Sequence, residues 1–178
     1  ERFGGVCFSS NYALYADMSQ RVMTTLESMV PAIEVYSIDE AFIELGSLWA
    51  GNFVDFGHQI RATIQRYAVL AVGVGIGPTM ALAKRANNAA KKWPATGGVV
   101  DIRDEGRRAR LMAITPIEEV WGIGRALNKR LQAEGVATVA DLMAVPPKQI
   151  RQRYGVVAER VVQELHGIPC SELTIDTP

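Results

Sequence analysis

Two adjacent carboxylates stand between two stretches that have the composition of β-strands. Asp39 and Glu40 separate the alternating, β-branched residues 32–38 from the apolar residues 41–45, a pattern that predicts a hairpin with both carboxylates at its turn. Carboxylates held together repel each other unless a cation lies between them, and Mg²⁺ prefers such hard oxygen ligands. The pair is therefore a candidate metal site, with a solvated acidic turn as the alternative.

Glycines dominate a short stretch of the chain that precedes a predicted helix. Residues 73–77 read Gly-Val-Gly-Ile-Gly and precede a predicted helix over residues 79–92, with Thr79 as its N-cap. The run is not a dinucleotide fingerprint, because Pro78 or Met80 stands where the third glycine belongs. It is not a phosphate-binding P-loop either, since no Gly-Lys-Ser/Thr follows.

That helix carries a basic stripe. Lys84, Asn88 and Lys91 recur at helical spacing and so lie on one face, flanked by Arg85 and Lys92. Since no acidic residue occurs in this segment, the stripe is expected to attract phosphate, with a solvated helix face as the alternative. The opposite face lets the helix lie close to a sheet because it is rich in alanine: Ala83, Ala86 and Ala90.

A hydrophobic-Gly-hydrophobic-Gly turn lies further along the chain. Residues 119–125 read Glu-Val-Trp-Gly-Ile-Gly-Arg, and Gly-Val-x-Thr at 135–138 and Asp-Leu at 141–142 follow. Such a turn exposes successive backbone N–H groups at a helix N-terminus, where they suit a phosphate. The spacing matches the helix-hairpin-helix DNA-binding motif, and a glycine-rich helical turn is the alternative. The predicted DNA contacts are Gly122, Ile123, Gly124, Arg125 and Lys129.

The elements that position these residues change in character near residue 105. Before it, helices and strands alternate, and the strands are expected to form one sheet. After it the strand patterns disappear, and Gly and Pro divide the chain into short helices. Two domains are therefore predicted, residues 1–105 and 106–178. The predicted strands are 32–38, 41–45, 69–76 and 99–102, and the later helices are 104–114, 125–134, 138–144, 147–153 and 156–166.

Composition excludes several classes of protein. The 178 residues are 48% hydrophobic and 21% charged, as in an ordinary globular protein. The formal net charge is zero, but residues 1–80 carry 4 basic and 8 acidic side chains, whereas residues 84–160 carry 15 and 8. Such asymmetry is typical of a protein that binds nucleic acid. No apolar run is long enough to span a bilayer.

Cysteine and histidine give no support for zinc or hydrolase chemistry. Cys7 and Cys170 lie far apart without a Cys-x-x-Cys pair, so no structural zinc site is indicated. His58 and His166 fall in amphipathic helical patterns typical of surface positions, and a Ser-His-Asp site has no support. Free thiols and the lack of a signal sequence favour the cytoplasm.

Taken together and in this order, the three motifs resemble the Y-family translesion DNA polymerases. The matching segments are Ser-Ile-Asp-Glu-Ala-Phe at 37–42, Leu-Ala-Lys at 82–84, Ala-Ala-Lys-Lys at 89–92 and the helix-hairpin-helix at 120–142. Residues 8–19 and the Val-Trp-Gly-Ile-Gly turn look like the bacterial UmuC branch. That branch is the catalytic subunit of the SOS mutagenic polymerase V, including plasmid-borne and mobile-element homologues. The resemblance covers essentially the whole chain.

The resemblance implies an α+β fold and a two-metal reaction. Residues 1–105 would be most of a palm, with an antiparallel or mixed sheet and helices on one face. Residues 106–178 would be an all-helical thumb that carries the helix-hairpin-helix. Asp39 would bridge two Mg²⁺ ions and Glu40 would bind the ion on the primer side. The ions would activate the primer 3′-hydroxyl for attack on the α-phosphate and stabilise the pyrophosphate leaving group.

Roles for the basic and glycine residues follow from the same resemblance. Lys91 matches the family lysine that contacts the incoming triphosphate, and Lys84 falls at a basic position near the phosphates. Gly122 and Gly124 match the backbone grip of the thumb on DNA.

Two departures from the family pattern matter. The UmuC branch often has Lys where Met80 stands, and Arg85, usually apolar in the family, is expected to compensate in part. The third metal carboxylate, the ribose-selecting aromatic residue and the fingers would all precede Glu1, and the little finger and clamp-binding segment would follow Pro178. The chain is therefore expected to be part of a longer enzyme and to be inactive alone, because its set of metal carboxylates is incomplete.

The implied function is extension of a primer past damaged template during SOS mutagenesis. The implied partners are damaged primer–template DNA, deoxynucleoside triphosphates, UmuD-type subunits, the RecA filament and the sliding clamp, with no membrane partner. The isolated chain is expected to self-associate through the sheet edge that a missing strand would leave. Two alternatives stay open: a non-catalytic helix-hairpin-helix DNA-binding module, and a two-metal nuclease that releases nucleotides without needing a triphosphate.

Overall fold

Helices make up most of the chain, and its strands are short. A computed structural model describes residues 4–6, 8–46 and 50–170. The described chain divides into two units, one built from residues 8–46 and 63–70 and the other from residues 50–62 and 71–170. No helix within the described ranges is both long enough and apolar enough to cross a membrane.

The first unit contains a helix and a hairpin. Helix α1, Tyr12–Glu27, begins where the Asn11 side chain accepts a hydrogen bond from the Leu14 N–H at 3.1 Å. Strands β1, Ala32–Ser37, and β2, Glu40–Glu44, pair antiparallel. The last turns of helix α2, Phe53–Ala68, also belong to this unit, whose buried apolar residues are Met23, Leu26, Val30, Ile64 and Ala68.

A parallel pair of strands opens the second unit. Helix α2 spans Phe53–Ala68, and strands β3, Val74–Ile76, and β4, Val99–Asp101, pair parallel with Val74 opposite Val99. Parallel neighbours need a crossover connection, and here helix α3, Met80–Lys92, supplies it together with a short 3₁₀ helix at Pro94–Thr96.

The rest of the second unit is helical. Its elements are α4 at Glu105–Ile114, a 3₁₀ helix at Ile117–Glu119, α5 at Arg125–Ala133, α6 at Val139–Ala144, α7 at Pro147–Tyr154 and α8 at Val156–Leu165. They share one buried apolar cluster with α3. Its fully buried members include Leu82, Met112, Ile117, Leu131, Val139, Leu142, Ile150 and Val162.

Glycines in β3 allow this strand to lie directly against α3. A Cβ at Gly75 would overlap the backbone nitrogen of Asn87 and the carbonyl oxygen of Ala83, and a Cβ at Gly77 would lie 2.7 Å from the Ala83 nitrogen. Close backbone approach is a use to which glycine is suited. The glycine run therefore serves helix-to-strand packing, and the predicted close approach of the alanine-rich helix to a sheet is confirmed.

Most of the predicted elements are present near their expected bounds, and the mixed α+β class is confirmed. The strands expected to share one sheet pair instead in two separate two-stranded sheets over the described residues, one antiparallel and one parallel. The strand predicted over 69–76 is limited to Val74–Ile76. The division into a palm and a thumb at residue 105 stays a prediction.

Candidate catalytic and DNA-contact sites

The two candidate metal carboxylates lie at the tip of the β1–β2 hairpin. Asp39 is the second residue of a two-residue turn, and Glu40 is the first residue of β2, opposite Ser37. The Ser37 hydroxyl donates to Asp39 Oδ1 at 2.7 Å. Asp39 is exposed and Glu40 is half-buried. Asp39 therefore lies in the turn as predicted, whereas Glu40, also expected in the turn, is already part of β2. Adjacent carboxylate oxygens reachable from solvent are a donor set that fits Mg²⁺.

A β-bulge at Tyr36 shapes this turn. Val35 pairs with Ala41, but the next pair is Ser37 with Glu40, so Tyr36 is the extra residue of β1. Its ring meets that of Phe42 edge to face, with centroids 5.8 Å apart. Because the bulge absorbs one residue, only two residues remain in the turn, and the first carboxylate directly precedes the ladder. The alternation seen in the sequence did not predict the bulge.

Helix α3 is anchored at its N-terminus by two side chains. Thr79 accepts a hydrogen bond from the Leu82 N–H at 3.3 Å, which confirms it as the N-cap, and its hydroxyl donates to the Glu164 carbonyl at 2.9 Å. The Glu164 carboxylate, on α8, accepts from the Ala81 N–H at 3.0 Å and is almost completely buried. Nothing in the local sequence indicates Glu164, because its partner lies 83 positions away.

The two candidate nucleotide-binding lysines differ in environment. Lys84 is half-buried, and its ammonium lies 5.4 Å from the centre of the Trp121 ring, within the range of a cation–π contact. Lys91 is exposed in the last turn of α3. Its side-chain stem passes over Gly73, where a Cβ would lie 2.9 Å from Lys91 Cγ. Both lysines thus lie on α3 where the sequence placed them, and their roles stay predictions.

Arg85 does not take the place expected for it. It is only 5% exposed, and its guanidinium donates to Glu119 at 2.6 Å. Lys92 reaches the other oxygen of the same carboxylate at 3.1 Å. A buried guanidinium neutralised by a carboxylate is poorly placed to receive a phosphate from solvent, so the structure does not support compensation by Arg85 for the lysine absent at Met80.

The predicted helix-hairpin-helix turn forms a tight loop before α5. We call residues 120–124, which the sequence predicts to contact DNA, the DNA-contact loop. Gly122 has a φ of +90°, and a Cβ there would lie 2.7 Å from Val161 Cγ2. Ile123 is 8% exposed, and its N–H donates to the Val120 carbonyl at 3.0 Å. The buried Ile123 side chain therefore holds the loop to the core, and its amide closes the loop on itself.

Gly124 and the first turn of α5 provide the accessible donors of this region. Gly124 is the N-cap of α5 and supplies no side-chain cap. The N–H groups of a first helical turn point toward solvent and favour anions. Arg125 and Lys129 are both exposed and, four residues apart, lie on one face of α5. The arrangement suits one phosphate at the helix start with two cations beside it.

Several basic side chains of the second unit already have carboxylate partners. Besides Arg85 and Lys92, the ion pairs are Arg103 with Asp101 at 2.7 Å, Arg151 with Glu159 at 3.1 Å, and Arg153 with Glu134 at 2.9 Å. Tyr154 and the Arg153 carbonyl also engage Arg130. The Arg103–Asp101 pair is local, whereas the contacts of Arg151, Arg153 and Arg130 join α7 to α8 and to α5 at the surface.

Known proteins match the chain over part or nearly all of its length. The model of the impB/mucB/samB family matches residues 4–88. Protein UmuC of Salmonella typhimurium is 55% identical over 174 residues, which cover 97% of this chain and 41% of UmuC. Residues 4–88 thus match the impB/mucB/samB family, and nearly the whole chain is similar to UmuC. Protein MucB of Escherichia coli, 46% identical over 179 residues, covers all of the chain with 43% of its own length.

A solved structure has the same fold as this chain. DinB from Sulfolobus solfataricus matches 90% of the chain with a TM-score of 0.71 and 26% identity, over 46% of its own length. The chain spans about two fifths of the length of the curated relatives it matches. The resemblance indicated by the three motifs is thus confirmed. The structure adds the bulge at Tyr36, the role of Glu164 and the pairing of Glu119 with Arg85 and Lys92, which the motifs do not indicate.

Proposed function

We propose that the chain is the palm and thumb part of a UmuC-type translesion DNA polymerase. The observation that carries the proposal is the hairpin tip, where Asp39 ends the two-residue turn and Glu40 begins β2. Residues 1–105 form most of the palm and residues 106–178 the thumb. The reaction is template-directed transfer of a nucleotide to a primer opposite damaged template during SOS mutagenesis.

Asp39 and Glu40 are the residues that hold Mg²⁺ in this proposal. Bound Mg²⁺ lowers the pKa of the primer 3′-hydroxyl and offsets charge on the triphosphate. The Ser37 hydroxyl, 2.7 Å from Asp39 Oδ1, orients the first carboxylate, and the β2 ladder holds the backbone at Glu40. The hairpin thus supplies two adjacent carboxylates, and the remaining donors come from the substrate and from other parts of the longer enzyme.

The basic and glycine residues hold the substrates. Lys91 and Lys84 on α3 bind the phosphates of the incoming deoxynucleoside triphosphate. The DNA-contact loop and the first turn of α5 bind the backbone of the primer–template through Gly122, Gly124, Arg125 and Lys129, and the buried Ile123 keeps the loop in shape. Contacts of this kind carry no sequence information, which suits an enzyme that follows any damaged template. UmuD-type subunits, the RecA filament and the sliding clamp are the proposed protein partners, in the cytoplasm.

The proposal is tested by replacing Asp39→Asn in the full-length enzyme that carries these residues. Metal-ion stabilisation contributes several kcal/mol to such reactions, so primer extension is expected to fall by about 100-fold or more. Glu44→Gln, an exposed carboxylate at the far end of the same β2 strand, is the matched control and should leave extension unchanged. Undiminished extension by the Asp39 variant would favour a non-catalytic helix-hairpin-helix DNA-binding module.

The same assays separate the polymerase from a two-metal nuclease. A nuclease would release nucleotides from DNA with Mg²⁺ and no added triphosphate, whereas the polymerase requires the triphosphate. The 178-residue chain on its own is expected to extend no primer, because its set of metal carboxylates is incomplete. Extension by the isolated chain above background would contradict that expectation.

Apolar side chains exposed on the first unit support self-association of the isolated chain. Phe8 is 87% exposed and Tyr12 is 77% exposed. Large exposed apolar side chains grouped in sequence are typical of surfaces that become covered. A second copy of the chain is the proposed occupant, and sedimentation over a hundredfold range of concentration measures it. A monomer mass at every concentration would contradict self-association.

A further inference from the structure

Glu119 connects the DNA-contact loop to helix α3, two regions with separate roles in the proposed function. It ends the 3₁₀ helix Ile117–Glu119, immediately before the DNA-contact loop. Its two carboxylate oxygens accept from Arg85 at 2.6 Å and from Lys92 at 3.1 Å, both on α3. One side chain at the base of the loop is therefore tied to the helix that carries the candidate triphosphate-binding lysines.

We propose that Glu119 is a positioning residue that sets the DNA-contact loop in place against α3. This inference rests on the proposed function, because it assumes that the loop binds DNA. Glu119 itself does not contact substrate in this proposal. Its role is to make the geometry of the DNA grip depend on the position of α3.

The spacing of Arg85 and Lys92 on α3 allows the single Glu119 carboxylate to bind both side chains. Arg85 and Lys92 are seven residues apart, so they lie on the same face of α3 separated by two turns. A carboxylate that bridges them restrains both the rotation of the helix about its axis and its sliding past the loop. Lys84 adds a third contact, since its ammonium lies 5.4 Å from the centre of the Trp121 ring within the loop.

Burial makes the Arg85 contact difficult to replace. Arg85 is 5% exposed, and its Nε atom already has no hydrogen-bond partner among the described residues. Removing the Glu119 charge would leave a buried guanidinium without its counter-ion, which is costly in a protein interior. We therefore expect the loop or the start of α5 to shift in response.

Charge and positioning predict opposite effects of a Glu119 substitution on DNA binding. Replacing Glu119 by Gln removes a negative charge and releases two cations beside the loop, which in a purely electrostatic description strengthens attraction to the DNA backbone. A positioning role instead predicts weaker binding, because the loop loses its alignment with the phosphate. The sign of the change therefore separates the two explanations.

The experiment measures binding of a fluorescent primer–template duplex to the whole 178-residue chain by anisotropy, without nucleotide. Glu119→Gln is expected to weaken binding by about tenfold, within the usual range of coupling between sites. Glu118→Gln, which removes the adjacent exposed charge, is the matched control and is expected to bind as tightly as the parent or slightly more tightly. Binding by Glu119→Gln that equals or exceeds that of Glu118→Gln would overturn the proposal.

A double variant separates positioning from loss of folding. The double variant replaces both members of the buried ion pair, Arg85→Met and Glu119→Gln. It leaves no uncompensated buried charge, so its thermal stability should recover to near that of the parent. A positioning role predicts that DNA binding stays about tenfold weaker in this variant, and recovery of affinity together with stability would overturn it. If the parent chain binds no duplex, the DNA contact in the proposed function fails, and this inference fails with it.

Discussion

Gly75 on β3 lies so close to Asn87 on α3 that a methyl group at position 75 would overlap the Asn87 backbone nitrogen. The carbonyl oxygen of Ala83 would be overlapped as well. Since both obstacles are backbone atoms, no change of side-chain rotamer can make room. Helix α3 can therefore pack this closely on the parallel strands only because residue 75 is a glycine, which has no Cβ.

Gly75→Ala is expected to lower the free energy of unfolding by about 3 kcal/mol, the upper part of the range for overpacked cores. Urea denaturation followed by circular dichroism measures it. Gly106→Ala on α4 is the control, because a Cβ there would lie 3.4 Å from an Asp104 side-chain oxygen and meet nothing closer. Equal stability of the two variants would show that β3 and α3 are not packed as described.

The two glycines of the DNA-contact loop are expected to respond differently to alanine. Gly122→Ala places a Cβ 2.7 Å from Val161 at a φ of +90°, so it should unfold the loop and lower thermal stability. Gly124→Ala meets nothing within 4 Å and should leave stability unchanged. If DNA approaches the start of α5, Gly124→Ala should still weaken duplex binding. A Gly124 variant with parental affinity would exclude close approach there.

Thr79→Ala is expected to destabilise the second unit by about 1–2 kcal/mol, because it removes a helix N-cap. The hydroxyl makes two hydrogen bonds, from the Leu82 N–H and to the Glu164 carbonyl. Thr79→Ser keeps the hydroxyl and should retain most of the stability. Thermal unfolding of the three proteins measures the difference, and an equal loss in both variants would assign the effect to the methyl group.

Acid should weaken the Glu119 contact. Burial raises the pKa of Glu119, but hydrogen bonds from Lys92 and Arg85 and their positive charges lower it by more, so the net pKa lies below the ordinary 4.5. A carboxyl whose pKa is depressed by folding stabilises the fold above its unfolded pKa, and this stability is lost as pH falls through the folded pKa. The stability difference between the parent and Glu119→Gln should thus be largest near neutral pH and shrink below pH 4.5. A difference that stays constant down to pH 3 would contradict the ion pair.

Much of the fold could be predicted because its signals are local. The amphipathic spacing of α1, the Thr79 cap and the Gly and Pro breaks between the later helices all depend on neighbouring residues. The pairing of β3 with β4 was not predictable in this way, because it joins strands separated by a helix. The β3 strand also proved shorter than its apolar run, since hydropathy does not report where hydrogen bonding begins.

The site shows the same division between local and distant signals. The hairpin with Asp39 and Glu40 and the loop with Gly122 and Gly124 were predictable from short motifs. Arg85 was assigned to the wrong environment because helical spacing alone cannot show which charged residue meets a carboxylate from a distant segment. That carboxylate, on Glu119, lies 34 positions further along the chain.

The ion pairs of the second unit have a consequence for how the chain would respond to salt. Counterions leave the DNA when free cations neutralise its phosphates, and the logarithm of the binding constant falls by about 0.9 per phosphate for each tenfold rise in salt. Of the 15 basic side chains between residues 84 and 160, at least five are already paired with carboxylates of the protein: Arg85, Lys92, Arg103, Arg151 and Arg153. Composition therefore overstates the number of ions that binding can release.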